Sequence, residues 1–436
     1  MVFVGHQTSD PLPQQEQEEY DPSQPLEGEF RQRGQYPLWF DHLTRGLFAA
    51  GVFLNLVLYF SQSRLHHSGP PQSLGNFRRP VFLPSDIQLP YWKPLPTSLP
   101  TRIAFGSCSD QRATLEYWDV LTVGYQPDLF LLMGDNVYGD CHDIACTRLA
   151  SAYRNLSLHP SFLGAAAQIP VLAVLDDHDY GQGDCHADNP HKDVALQWYG
   201  EFFDIPDEHQ RDGVYRSHIW SEVDGTGNNA TLQLILLDTR YNRDPFVPTK
   251  RPSHPYEPTD STIPQSMLGP NQWHWLEEQL QTPDVSFRVL VSSIQVLNEN
   301  TGFEAWRHLP QERERLYRLL HTNSTVPTLI LSGDRHVGSF SESRGFVEVT
   351  ASSLTHSIPL GTFTDCSSPL TCDEDDPARV GDMIRENHFG ALEIDWKRQQ
   401  IEIQFRRSDT AYGARYTESG RAGEILATRT YRFDQL

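Results

Sequence analysis

Positive charge is scarce in this sequence. Lys and Arg together number 35 against 57 Asp and Glu, which leaves a net charge of -22 at pH 7. Non-specific nucleic-acid binding relies on Lys and Arg neutralising phosphates, so a role as a nucleic-acid scaffold is set aside. Any anionic substrate is repelled at long range, and its site must be made locally positive by metal or arginine. Cysteine is sparse too, at six residues in 436. Cys141 and Cys146, and again Cys366 and Cys372, are each close enough in sequence for a small disulfide loop. If Cys108 serves as a ligand, Cys185 is then left over. There is no internal repeat. Aromatics at 11% and apolar residues at 38% are still enough for a substantial core.

One uncharged apolar run stands out, GLFAAGVFLNLVLYF at 46–60, bracketed by Arg45 and Arg64. About 17 to 20 apolar residues span a bilayer. With 61–63 at the interface and the arginines snorkelling, the segment 43–65 predicts a transmembrane signal anchor. The alternative is a buried core helix. Residues 1–42, rich in Gln, Glu, Pro and Gly, read as a disordered tail, and 66–100, rich in Pro, Ser and Gly, as a stalk. The body then runs over 101–436. Sequons at Asn155, Asn229 and Asn323 fit a single-pass protein whose body faces the secretory lumen or the cell exterior. The oligomeric state is not legible.

In the body, short apolar runs alternate with helical patterns, which indicates an α/β fold. Strands are expected at 102–106, 128–133, 170–175, 232–237, 287–292, 328–331, 389–396 and 400–405. Helices are expected at 115–123, 144–167, 269–280 and 311–320. Six of these strands end in polar residues able to hold metal or phosphate, and ligands in open α/β sheets collect at the carboxyl ends of strands.

The strand ends carry the chemistry. Gly134-Asp135-Asn136-Val137-Tyr138 offers a carboxylate suited to bridging two metals and, three residues on, a phenolate. Phenolate and thiolate together favour Fe(III). Asp176-Asp177-His178-Asp179 is a charge cluster that is costly unless a cation neutralises it. His178 could serve as general acid or donate to a phosphoryl oxygen. Asp334 and His336 project to one side of an extended segment and could both reach a metal pair. Cys108 ends the first strand, where another ligand is wanted. Arg240, in Leu-Asp-Thr-Arg, reads as a phosphate clamp or as the partner of Asp238 or another acid. His356 and His388 could also line the site; the other reading is surface for His356 and packing for His388.

In this order the segments RIAFGSCSD, LFLLMGDNVYGD, PVLAVLDDHDYG, GVYRSHIW, LILLDTRYNRD, MLGPNQWHWLEEQL, VLVSSIQVL, LILSGDRHVGSF and NHFGALEIDW resemble the PhoD-like (alkaline phosphatase D type) family of the calcineurin-like metallophosphoesterase superfamily. The resemblance covers roughly residues 100–410. It implies a four-layer αββα sandwich with two mixed sheets. It implies a dinuclear site, Fe(III) plus Ca(II) or another divalent ion, with Cys108, Asp135, Tyr138, Asp177, Asp334 and His336 as ligands. Asp135 bridges in this scheme, and Gln295 stands where many superfamily members have a further His. The implied reaction is hydrolysis of phosphate mono- or diesters by in-line attack of a metal-bound hydroxide, with His178 and Arg240 assisting. The alternatives are a membrane-anchored binding protein that keeps the fold without catalysis, and a phospholipid head-group hydrolase.

Overall fold

The computed structural model describes residues 90–206, 212–223, 229–251, 254–260, 262–322, 325–359, 376–409 and 421–436. The expected tail, the anchor, most of the stalk, Asn323 and the Cys366/Cys372 pair lie outside them. Strand β2, Leu129–Met133, shows how the layers arise, because its five apolar residues are all buried. Side chains alternate along a strand. Leu129, Leu131 and Met133 therefore join one core, while Phe130 and Leu132 join another on the opposite face.

β2 is flanked in parallel by β1, Arg102–Gly106, and β3, Val171–Val174. The antiparallel strands β12, His388–Asp395, β13, Gln400–Arg407, and β14, Ile425–Arg432, extend that sheet beyond β1. Its order is β14-β13-β12-β1-β2-β3. In the second sheet β5, Asn229–Leu236, β8, Phe287–Val291, β9, Thr328–Ser332, and β11, Phe346–Ala351, run parallel. Antiparallel β4, Arg216–Val223, and β10, Gly338–Ser343, close its edges. A separate hairpin pairs β6, Val247–Arg251, with β7, His254–Glu257.

The middle core lies between the sheets, where Ile103, Leu131 and Leu392 of the first meet Leu234, Val289 and Leu331 of the second. At its tightest point Phe105 crosses β12 at Gly390, where an added Cβ would fall 2.1 Å from the ring. Outside the first sheet pack helices α1, Thr147–Ser157, α2, Pro160–Ala166, and α4, Lys192–Phe202, through Leu149, Phe162 and Phe202. The single turn α3, Asp177–Tyr180, lies before α4. Outside the second sheet pack α5, Gly269–Leu280, and α6, Pro310–Thr322, through Trp273, Leu276 and Leu316. The result is the expected four-layer αββα sandwich.

Three expectations change. The helix expected over 144–167 is two, because Pro160 has no N–H to donate inside a helix and instead opens α2. The helix expected over 115–123 is a single turn, Tyr117–Asp119, running into a wider π-type turn, Val120–Tyr125. The end of the expected stalk belongs to the body. Trp92 Nε1 donates to Phe202 O at 2.8 Å and its ring stacks on Phe203, while Leu99 is buried in the middle core. Among the described residues no helix is long and apolar enough to cross a membrane.

Candidate metal centre

The loops that follow β1, β2, β3, β9 and β11 meet at one edge of the sandwich. Ser107 N–H donates to Ala351 O at 3.0 Å, Cys108 N–H to Gly134 O at 3.3 Å, and Ser293 Oγ to Asp176 Oδ1 at 2.6 Å. Each strand must turn at once as it leaves the sheet. Cys108, Asp135, Asp334 and His336 do so in the left-handed region, at φ 62°, 48°, 70° and 54°. An L-residue costs about 1–3 kcal/mol there, and such residues cluster at functional sites. Gly134, at φ 104°, is required outright, since a Cβ would lie 2.5 Å from Asp176 Cβ.

The turns converge two groups of donors. In the first, Cys108 Sγ lies 3.7 Å from Asp135 Oδ2, and Tyr138 OH donates to the same oxygen at 3.0 Å. His336 Nε2 is 3.1 Å from the Tyr138 hydroxyl. The second group holds Asp135, Asp176, Asp177, His178 and Asp334. Within sets of three, donor atoms lie inside 4.8 Å of one another: Cys108, Asp135 and His336; Asp135, Asp177 and His178; and Asp176, Asp177 and Asp334. Asp135 belongs to the first two sets and so links the groups.

The electrostatics follow from burial. Burial pushes the Cys108 thiol up to about 12, and burial with nearby Asp135 holds the Tyr138 phenol well above its usual value. Burial and Asp177 raise Asp135, and burial with Asp176 and Asp177 pushes Asp334 up to about 8. Burial opposes ionisation of Asp177, yet His178 and Arg240 outweigh it and hold that carboxyl below the usual range. Burial also works against a charged His178, but Asp177, Asp135 and Asp140 win and hold the imidazole well above 6.5. Asp176 Oδ2 and Asp177 Oδ1 are buried without a hydrogen-bond donor.

This donor set fits a metal pair. Cations would replace the protons that burial forces onto the thiol, the phenol and the carboxyls, and would occupy the bare oxygens. Thiolate, phenolate and imidazole meet at one position, and carboxylates dominate the other.

The six expected ligands are thus brought together, and His178 with them. The other assignments fare differently. Arg240 is no phosphate clamp in this fold, because its guanidinium is wholly buried among acids. Nε is 2.5 Å from Asp176 Oδ1, Nη1 2.6 Å from Glu304 Oε2 and Nη2 3.6 Å from Asp177 Oδ1. A buried cation must be paired, and Arg240 braces the acid cluster from beneath. Its expected neighbour Asp238 instead accepts the backbone N–H of Arg240 and Tyr241, each at 2.9 Å. Gln295 spends its amide on Thr350 and Asn298, at 3.0 and 3.1 Å. His388 takes the packing place of its two readings, with Nδ1 bonded to Glu386 O at 2.8 Å.

His356 is half-buried and takes the site-lining place of its two readings. Its Nε2 lies 3.2 Å from both Tyr138 OH and His336 Nε2, which adds a further imidazole to the first group. Asp140 was missed altogether. Its Oδ1 is 2.7 Å from His178 Nδ1, and its loop is stapled by a Cys141–Cys146 disulfide. The available signal was the second acid of Gly-Asp-Asn-Val-Tyr-Gly-Asp. Glu304 carries no local signal. Cys108 and Cys185 are free thiols.

A family model described as PhoD-like phosphatase matches residues 103–405. No curated protein matches the chain. A solved structure described as that of PhoD is 17% identical, covers 79% of this chain and 72% of its own, and superposes with a TM-score of 0.60. Another, described as GAP50, the anchor in the inner membrane complex of Plasmodium, is 12% identical, covers 76% of this chain and 89% of its own, with a TM-score of 0.49. At 17% identity the likeness to the first of these concerns the fold.

Proposed function

The chain belongs to the PhoD-like phosphatase family, and from that premise we propose that it is a metal-dependent phosphoesterase cleaving phosphate mono- or diesters. The observation that carries this reading is the Asp135 carboxylate, shared between a thiol–phenol–imidazole group and a carboxylate group. In the proposal Cys108, Tyr138 and His336, with His356, hold one ion. Asp177 and Asp334 hold the second, and Asp135 serves both. Thiolate and phenolate suit Fe(III), and an oxygen-rich position suits Ca(II) or a similar hard divalent ion. Metal ions in such a site polarise a phosphoryl oxygen and make water a usable nucleophile near neutral pH.

The chain's own residues supply the rest. Asp140 accepts from His178 Nδ1, fixes the ring and leaves Nε2 facing away. Asp177, Asp135 and Asp140 favour the charged imidazole, whose Nε2 would then pass a proton to a departing alkoxide. Arg240 and Ser293 fix Asp176 behind the reacting edge. We further propose that the body works in an oxidising compartment, held there by the segment 43–65; the Cys141–Cys146 disulfide supports this reading.

The test is metal analysis of the purified chain beside turnover of a monoester and a diester. Asp135→Ala should lose both metals and turnover, whereas near-normal turnover in that variant would sink the proposal. A phenolate-bound ferric ion adds a visible absorption band that Tyr138→Phe removes. A binding protein that had left catalysis behind would be expected to lack donors, and each expected donor is present.

A further inference from the structure

Burial of Arg240 leaves the acid-rich site in need of another cation for an incoming anion. We propose that Arg112 is that cation, that it binds a terminal oxygen of the substrate phosphate, and that it favours monoesters over diesters. The inference deepens the phosphoesterase reading and rests on it.

The strap carrying Arg112 is fixed to the metal centre at three points. Gln111 grips the backbone of Tyr138 in both directions: Oε1 accepts the Tyr138 N–H at 2.8 Å, and Nε2 donates to the Tyr138 carbonyl at 3.1 Å. Asp110 N–H donates to Thr355 Oγ1 at 2.9 Å. Thr355 Oγ1 is in turn 3.0 Å from His356 Nδ1, whose ring reaches Tyr138 OH through Nε2. Arg112 is therefore placed by the same residues that place Tyr138 and His356.

The Arg112 guanidinium is exposed. The Arg112 side chain is 66% accessible, whereas those of Arg240 and Arg243 are buried against Glu304. Arg335 is also buried, with its guanidinium 4.2 Å over the Phe303 ring. Asp110 takes one edge of Arg112, accepting from Nε and Nη2 at 2.8 Å each. Nη1 takes part in neither bond. The bond to Asp110 keeps the guanidinium more basic than usual despite the opposing effect of burial, and Asp140 and Tyr138 add to this. Arg112 is thus tethered beside the residues that flank the reacting edge, with its side chain exposed. Asp110 acts as its rest, holding the group still without covering it.

The preference for monoesters follows from charge. A phosphate monoester carries two negative charges over three terminal oxygens near neutral pH, and a diester carries one charge over two. A guanidinium attracts the dianion more strongly than the monoanion. Removing Arg112 should therefore penalise the monoester selectively, through binding.

The experiment uses the metal-loaded full chain with Arg112→Ala and Arg112→Lys. Calorimetric titration with inorganic phosphate is paired with turnover of 4-nitrophenyl phosphate and of its methyl diester, which share a leaving group. Arg112→Ala should weaken phosphate binding and raise the monoester KM about tenfold. Its kcat and metal content should hold, the diester KM should move less than about threefold, and Arg112→Lys should recover part of the loss. Phosphate binding within about twofold of wild type in Arg112→Ala would overturn the inference, as would an equal loss for both esters carried by kcat. If wild type hydrolyses neither ester yet binds phosphate through Arg112, the phosphoesterase reading falls and the anion site stands. If wild type binds no phosphate, the assignment of Arg112 falls.

Discussion

Replacing Arg240 with methionine should weaken the fold before it weakens substrate binding. Arg240, Asp176 and Glu304 are all buried, and the guanidinium is within 2.5–2.6 Å of both carboxylates. Removing one partner of such a network leaves an uncompensated buried charge, at a cost of about 3–5 kcal/mol. Arg243 still reaches Glu304 at 2.6 Å, so the loss should fall near the lower end. A folded body of roughly 350 residues unfolds with an entropy of about 0.7 kcal/mol/K, so the melting temperature should drop by about 4–7 °C. The deficit has a pH signature. Burial already raises Asp176 and Glu304 above their unfolded values, and without Arg240 they rise further. A carboxyl raised in this way takes up its proton on folding, and its contribution is lost as pH rises through the folded value. The gap from wild type should therefore be wider at pH 8 than at pH 5. Scanning calorimetry at both pH values reads it, and Arg240→Met with Glu304→Gln should recover part of the loss. A melting temperature within about 1 °C of wild type, together with a raised KM, would show that Arg240 faces substrate and that the buried brace is wrong.

Two further outcomes follow from the same site. Asp140→Asn removes the carboxylate that orients His178, so kcat should fall about 10–100-fold with both metals retained, and the basic limb of the pH–rate profile should move to lower pH because a charge that raises the imidazole is gone; an unmoved limb would contradict the role. Chelation should lower the melting temperature more at pH 8 than at pH 5, because Asp334 (about 8) and Asp135 are raised by burial, so their contribution is complete below about pH 4 and is lost as pH climbs through their folded values, with the depressed Asp177 opposing only in part. Thermal shifts that match at the two pH values would argue against a cation site.

What the sequence disclosed, and what it withheld, divides by range. β2 and β3 are uninterrupted apolar runs, and β1, β8 and β9 are mostly apolar, with Arg288 breaking the run in β8; both faces of these strands are covered, and such runs are visible locally. Asp135, Asp177 and Asp334 were legible because a carboxylate directly after such a run has no packing role to play. His356 was legible only as one of two alternatives. It follows β11, whose Phe-Val-Glu-Val-Thr-Ala mixes a buried Glu348 into the strand, and that charge is tolerated only because Val296 and Leu297 donate backbone N–H groups to it at 2.8 and 2.7 Å. The reversal for Arg240 has the same origin. Its exposure is decided by Glu304, 64 positions away on a loop with no periodic signal. Residues 90–100 look like linker by composition, and only the aromatic seat formed by Phe162, Phe202 and Phe203 draws Trp92 into the body.

The donors come from two sheets. Cys108, Asp135 and Asp177 ride on the first, and Asp334, His336 and His356 on the second. An ion pair bound among them would act as a clasp across the seam, and the sheets could slide past one another only by stretching its bonds. The apolar middle layer then becomes the spacer that sets the gap the clasp must close. Trimming Leu131 or Leu331, deep between the sheets and away from the reacting edge, would be felt as a change in how tightly the edge grips its ions. Metal affinity in this architecture would then be a readout of core packing.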